Sequence, residues 1–263
     1  MHIIVCIKQV PDTTEVRLDS TTNTLIRDGV PSIINPFDMY AIEEALRLKE
    51  AHGGTVTVLS MGPPQVESAL REALALGADK AALLSDRAFA GADTWATSTT
   101  LAAGIRALGA FDLVICGKQA IDGDTAQVGP GVAELLGIPQ VTFVKKIAAV
   151  EAGSMTVHRM VEEGYEVIRT PLPAVLTVVK EINEPRLPSI KGKMRAKKEI
   201  ITVLNLAAVK EHLGEAKVGL DGSPTRVVKV FTPPRKTGGE LWQGEPDELA
   251  TRLAEFLKKR RMG

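Results

Sequence analysis

A chain of 263 residues of which 44% are hydrophobic can bury one large core or two smaller ones, and this excludes a disordered or fibrous protein. Its 32 basic and 32 acidic residues cancel, so no overall field draws it to nucleic acid or an anionic membrane; charged surfaces must be local. Two cysteines, Cys6 and Cys116, each inside an apolar run, make no disulfide framework and fit a reducing cytoplasm.

The N-terminal residues have neither the basic start nor the cleavage pattern of a targeting peptide and read as a first strand. Apolar runs stay far below the ~20 residues of a membrane span, so no direct membrane insertion is expected. Short β-rich runs at 3–7, 55–61, 81–85 and 113–116 alternate with stretches of helical period. Ala41, Ile42, Ala45, Leu46 and Lys49 mark one helical face; Val66, Ala69, Leu70, Ala73 and Leu74 mark another. Such alternation implies parallel strands with crossover helices. Asn35 before Pro36 is an expected helix start, with Asn as the cap, and Asp93 or Thr94, then Asp124 or Thr125, are expected to cap later helices.

From residue 141 the texture changes. Strand-like runs at 141–147, 155–160, 165–170 and 174–179 follow one another through turns at Gly153-Ser154 and Glu163-Gly164, which predicts antiparallel hairpins. Next comes an irregular segment, 183–190, and a basic run of Lys191, Lys193, Arg195, Lys197 and Lys198, too rich in proline and charge for a core. Residues 211–247, rich in Gly, Pro and charge, predict an arm laid over a partner surface. From Pro246, the spacing of Leu249, Leu253, Phe256 and Leu257 predicts a helix whose acidic start and basic end suit its macrodipole.

In an open parallel sheet ligands bind beyond the carboxyl ends of the strands, where helix N-termini present free N–H groups. The loop there with most to offer is Gly117-Lys118-Gln119-Ala120-Ile121-Asp122-Gly123-Asp124-Thr125-Ala126-Gln127-Val128-Gly129, whose glycines admit a close backbone approach. A pyrophosphate fits it, and so does plain helix capping. No GxGxxG fingerprint and no GKS or GKT loop occurs, which argues against an ordinary dinucleotide dehydrogenase or a nucleoside triphosphatase. His2, His52, His158 and His212 share no metal-ligand spacing and there is no GxSxG elbow, so neither a metal site nor a catalytic side chain is expected. A nucleotide site without acid–base machinery leaves the chemistry to a cofactor. Trp95 and Trp242 read as packing residues, and the basic run, lacking aromatics for base stacking, fits an acidic protein surface better than nucleic acid.

Taken together, the motifs resemble the small (beta) subunit of electron-transfer flavoproteins over nearly the whole chain. They are Ile7-Lys8-Gln9-Val10-Pro11-Asp12-Thr13, Asn35-Pro36-Phe37-Asp38, Met61-Gly62-Pro63-Pro64, Ala75-Leu76-Gly77-Ala78-Asp79, the loop from Gly117 to Gly129, Asn183-Glu184-Pro185-Arg186, and the basic run ending at Lys198. The resemblance implies an α/β fold: a Rossmann-like parallel sheet with flanking helices, an antiparallel hairpin extension and a C-terminal arm that packs on a partner subunit. It implies a nucleotide-binding domain over 1–182, a partner-recognition loop over 183–200 and the arm and helix over 201–263.

By the same resemblance the nucleotide is lined by Cys6, by Asn35, Pro36, Phe37 and Asp38, by Met61 and by Gly117 through Val128. The family's anchoring leucine corresponds to Leu187, with Ile190 beside it. Residues 85–98 and the Gly-Ser-Pro-Thr at 222–225 resemble the electron-bifurcating subgroup, in which the nucleotide is FAD and not AMP; Asp93, Thr94, Thr97, Ser223 and Thr225 are expected to meet the added flavin portion. The implied function is a heterodimer with an FAD-binding alpha subunit. There the beta-subunit FAD takes hydride from NADH and divides the electrons between ferredoxin or flavodoxin and the alpha-subunit FAD, the latter feeding an acyl-CoA dehydrogenase-type partner or a quinone reductase. NADH oxidation is expected only in the heterodimer or a larger complex. The alternatives are a conventional beta subunit holding AMP structurally and an adenine-nucleotide module of the universal-stress-protein type.

Overall fold

The computed structural model describes residues 1–12, 17–18, 25–26, 31–228 and 238–260. Thr13, which closes the first motif, and residues 229–237 of the expected arm lie outside them. The chain divides into two units, Met1–Val227 and Val228–Gly263.

The first unit begins with β1 (His2–Cys6), followed by β2 (Gln9–Pro11), β3 (Arg17–Leu18), β4 (Leu25–Ile26) and β5 (Ser32–Ile34), which form the small antiparallel pairs β2–β5 and β3–β4. Crossover helices then alternate with strands: α1 (Pro36–His52), β6 (Thr55–Met61), α2 (Glu67–Leu76), β7 (Lys80–Leu84), α3 (Thr94–Ala107), β8 (Leu113–Gly117) and α4 (Val128–Leu136). Three strands follow without helices, β9 (Gln140–Glu151), β10 (Ser154–Val161) and β11 (Gly164–Pro171), and then β12 (Ala174–Val178), α5 (Ile190–Ala196), β13 (Ile201–Leu204) and α6 (Leu206–Leu213).

Nine strands make one sheet in the order β11-β10-β9-β12-β8-β1-β6-β7-β13. From β9 to β13 every pairing is parallel; β10 and β11 add an antiparallel hairpin at one edge. The central strands are mostly apolar because both faces are covered, with the polar Thr57, Ser60 and Thr177 buried among them. In β1, Ile3 and Val5 join the cluster that takes Ala41, Ala45, Leu70 and Leu74 from α1 and α2, whereas Ile4 and Cys6 join Leu101, Val132 and Val209 from α3, α4 and α6. Helices leaving β1 and β8 therefore cover opposite faces, and the crevice between the carboxyl ends of these two neighbours is the topological switch point.

Three stretches differ from the expectation. The run at 174–179, expected in an antiparallel hairpin, is β12, which lies inside the sheet parallel to both β8 and β9. Residues 201–227, assigned to the arm, lie in the first unit: β13 runs parallel to β7, and Val209 of α6 is fully buried. A four-residue edge strand with half-exposed faces carries little alternation, and the basic run before it hides the boundary. That run is itself a helix, α5, capped by Ser189, whose Oγ accepts from Gly192 N at 2.9 Å. Its Arg195 donates to the carbonyls of Leu74 and Ala78, each at 2.7 Å, and so ties α5 to the C-terminal end of α2 and the turn after it.

The second unit holds the expected terminal helix, α7 (Pro246–Lys259). Trp242 packs its ring edge-on to Phe256 with centroids 5.3 Å apart, and the Arg252 guanidinium lies 4.6 Å above the indole. Among the described residues no helix is long and apolar enough to cross a membrane.

Candidate functional site

At the switch point a buried polar knot ties α1 to the two central strands. Asn35 does not cap α1 with its side chain. Its Nδ2 donates to the Gln119 carbonyl at 2.8 Å, and its Oδ1 accepts from Ile121 N at 3.2 Å, so the amide bridges the start of α1 to the loop after β8. Asp38 accepts from Lys8 N at 2.7 Å, and its other oxygen meets the close-packed backbone of Gly117. Burial pushes the Asp38 carboxyl up to about 7, against the pull of the Lys8 amide, Asn35, the Gly117 amide and the Lys8 charge. On the surface above, Lys8 Nζ pairs with Asp122 at 2.6 Å, and Gln119 Nε2 donates to Asp124 at 2.7 Å. The Lys118 ammonium lies 5.6 Å from the Phe37 ring centroid and 5.5 Å from that of Phe143.

Asp124 is thus engaged within the loop, and Thr125 accepts from Thr94 Oγ1 at 3.2 Å; neither caps α4 as the sequence led us to expect. No side chain caps that helix. Gln127 stands at the cap position, and Ala126 before it holds a left-handed φ of 53°, which costs an alanine on the order of 1 kcal/mol. A cap was expected because Asp-Thr precedes an apolar stretch, but two further residues pass before the helix begins. Those residues leave the first-turn N–H groups of α4 without a side-chain acceptor. Gly129 in that turn lets the helix approach Thr177 of β12, where a Cβ would collide.

A second polar knot lies at the start of α3. Asp93 is the cap, as expected: Oδ1 accepts from Ala96 N at 3.0 Å. Its Oδ2 accepts from Thr225 N at 2.9 Å and from Thr225 Oγ1 at 2.8 Å, and Asp93 N donates to Ser223 Oγ at 2.8 Å. Desolvation opposes ionisation here, but the bonds from Ala96, Thr225 and Trp95 outweigh it and hold the carboxyl below the usual range. The two sequence stretches that suggested a flavin are therefore joined through one carboxylate, and the Thr94–Thr125 bond links them to the loop after β8. Asp93→Ala removes the cap and the tether together: we expect a loss of about 1 kcal/mol in thermal unfolding and faster proteolysis near Ser223.

Of the other expected residues, Cys6 ends β1 opposite Cys116 on β8, both free thiols and both buried; the hydrogen bond to Cys6 and burial raise the Cys116 thiol well above its ordinary range. Pro36 opens α1, Met61 ends β6, and Thr97 sits half-buried in the first turn of α3. Ala120 and Gly123 lie in the loop; a Cβ on Gly123 would meet nothing nearer than Lys8 Nζ at 4.0 Å. Lys8 was missed as a site residue, although its place directly after the first strand was the available signal. Trp95, read as a packing residue, is half-exposed in the first turn of α3, a helix whose buried residues include Ala96, Leu101 and Ile105.

The 183–190 segment runs along α1. Asn183 Nδ2 donates to the Tyr40 carbonyl at 3.0 Å and to Glu44 at 2.9 Å, and Arg186 pairs with Glu43 and Glu50. Desolvation of Glu43 is outweighed by its bonds from Arg186 and Arg47, so its carboxyl stays below the ordinary range; burial raises that of Glu44. The Arg47 guanidinium reaches the Glu184 carbonyl at 3.4 Å. Leu187 and Ile190, in contrast, are 90% and 81% exposed.

A model of the electron transfer flavoprotein domain matches residues 22–209. The chain is 55% identical over 264 residues to the electron transfer flavoprotein subunit beta of Thermoanaerobacterium thermosaccharolyticum, with 99% of both chains covered. To the caffeyl-CoA reductase-Etf complex subunit CarD of Acetobacterium woodii it is 53% identical over 262 residues, again with 99% of both covered. To the protein FixA of Azorhizobium caulinodans it is 50% identical over 241 residues, covering 89% of this chain and 85% of that one.

Proposed function

Since the chain belongs to the electron transfer flavoprotein family as a beta subunit, we propose that it pairs with an FAD-bearing alpha subunit and itself holds a second FAD along the switch-point rim. The similarity to CarD, a subunit of a caffeyl-CoA reductase-Etf complex, supports the bifurcating type and an acyl-CoA dehydrogenase-type partner. When bound, that flavin accepts electrons from NADH and divides them between a low-potential carrier of the ferredoxin or flavodoxin class and the alpha-subunit FAD.

The observation that carries this reading is the union of two polar knots. One, around Asn35 and the loop from Gly117, is of a kind that suits an adenosine diphosphate; the second, around Asp93, Ser223 and Thr225, is bonded within itself and sets a polar wall beside the first, joined to it through the Thr94–Thr125 bond. A structural AMP needs only the first. The donor chemistry fits the group: α4 starts without a side-chain cap, as a helix that receives a diphosphate does, and the open side of Gly123 admits a close approach. The strained Ala126 next to that start has the character of a ligand clamp, since such strain collects where a bound group can offset it. The chain's own part is to bind, orient and set the field around the cofactor.

The nucleotide that copurifies with the alpha–beta heterodimer tests the reading. After denaturation, mass and absorbance are expected to give two FAD per heterodimer and no AMP. One FAD with one AMP would overturn the bifurcating assignment and leave a conventional beta subunit.

A further inference from the structure

We propose that Arg186 and Asn183 are positioning residues that fasten the 183–187 segment to α1 and thereby hold the Leu187 side chain outward in the shape its partner protein binds. The proposal rests on the proposed function, with the addition that the 183–200 loop, a partner-recognition loop by resemblance, is what meets the acyl-CoA dehydrogenase-type partner, and it assigns to two residues expected at that interface a role inside the chain.

The fastening is specific. Arg186 Nε donates to Glu43 Oε2 at 2.8 Å, its Nη2 to Glu43 Oε1 at 3.1 Å and its backbone N–H to Glu43 Oε2 at 3.1 Å, so one carboxylate holds both the fork and the main chain. The outer side of the guanidinium pairs with Glu50, Nη2 to Oε2 at 3.1 Å. Tyr40, Glu43, Glu44, Arg47 and Glu50 form one stripe on α1 at helical spacing, and every one of them bonds the segment through side chain or carbonyl. Glu43 is 4% exposed. A carboxylate this far from water is tolerated because Arg186 and Arg47 neutralise it, and an unpaired one would be strongly destabilising. The pair thus serves geometry: it fixes the residue immediately before Leu187, and Pro185 restricts the one before that.

Leu187 itself touches little of its own chain, being 90% exposed. An exposed leucine on a free loop would pay the ordering of its backbone at each encounter, whereas one on a fastened segment has paid it on folding. The contrast between neighbours, Arg186 locked and Leu187 bare, is the reason to assign a mount and not a contact.

The test uses the intact heterodimer and follows reduction of the acyl-CoA dehydrogenase-type protein of the same cell, with hydrogen exchange of residues 183–190 measured in parallel. Arg186→Gln is expected to raise the partner KM about tenfold, the equivalent of one unpaid ordered residue, with bound nucleotide and the rate at saturating partner unchanged and exchange of the segment accelerated. Arg186→Lys keeps the charge without the fork and should fall between. Leu187→Ala should raise the KM without altering exchange. If Arg186→Gln loosens the segment but leaves KM at the parental value, or if it leaves exchange unchanged, the mount is wrong. If Leu187→Ala leaves KM unchanged, the partner reading of the segment fails, whatever Arg186 does to exchange. Should Arg186→Gln not fold, Arg186→Lys and Glu50→Gln, which keep Glu43 covered by a cation, carry the same comparison.

Discussion

The Gly117→Ala heterodimer is expected to emerge from gel filtration with most of its beta-subunit nucleotide gone and with its unfolding midpoint sharply lowered. A Cβ at this position would sit 2.7 Å from the Phe37 carbonyl carbon and 2.8 Å from Asp38 N, in addition to meeting the Asp38 carboxylate. These are backbone atoms at the start of α1, so no rotamer change relieves the contact. Either β8 separates from β1 or α1 tilts away, and both movements undo the Asn35 bridge to Gln119 and Ile121. Overpacking of this kind costs ~1–3 kcal/mol, and the rigidity of the obstacle places this case at the top of that span. The measurement is flavin absorbance per heterodimer together with a urea unfolding curve; full nucleotide content in a folded variant would remove the switch-point crevice as the binding site.

The layered α/β core was legible because its signals are local. β1 and β8 are nearly continuous apolar runs, β6 alternates threonine with valine before Leu59, and the faces marked by Ala41 to Lys49 and by Val66 to Leu74 fall on α1 and on α2 with its cap residue, the apolar members buried. The hairpin strands likewise follow from turn residues at Gly153 and Gly164. Legibility ended where a residue's partner lies far along the chain. Asn35 looks like a helix cap from its neighbours, yet its amide is spent on a loop more than eighty residues later. Asp93 reads correctly as a cap, but its second oxygen belongs to Thr225. Glu43, Glu44 and Glu50 look like an ordinary solvated helix face until the 183–187 segment covers them. Asp38 shows the same limit in its charge: nothing in Asn-Pro-Phe-Asp tells of a carboxyl sealed between two strand ends.

That carboxyl gives the other large effect. Burial outweighs the hydrogen bonds and the Lys8 charge and raises Asp38 from 3.8 to about 7. Between those values the folded state holds a proton that the unfolded chain has released, so stability falls as pH rises, reversing the usual behaviour of a paired carboxylate. Over the whole window the contribution lost is on the order of 4 kcal/mol. Asp38→Asn cannot ionise, and its urea midpoint is expected to decline less than the parent's between about pH 5 and about pH 8. In acid the variant should be the weaker protein, because an amide offers only one acceptor where the carboxyl meets the N–H groups of both Lys8 and Gly117. Toward alkaline pH the difference should shrink or reverse, because only the parent then carries a buried negative charge. The same charge lies under the proposed seat of an anionic diphosphate, so the parent should release its nucleotide faster above about pH 7 while the variant should not. Two unfolding curves that stay parallel across this window would show that the proton is shed with folding unaffected, and Asp38 would then be an ordinary carboxylate held by its hydrogen bonds.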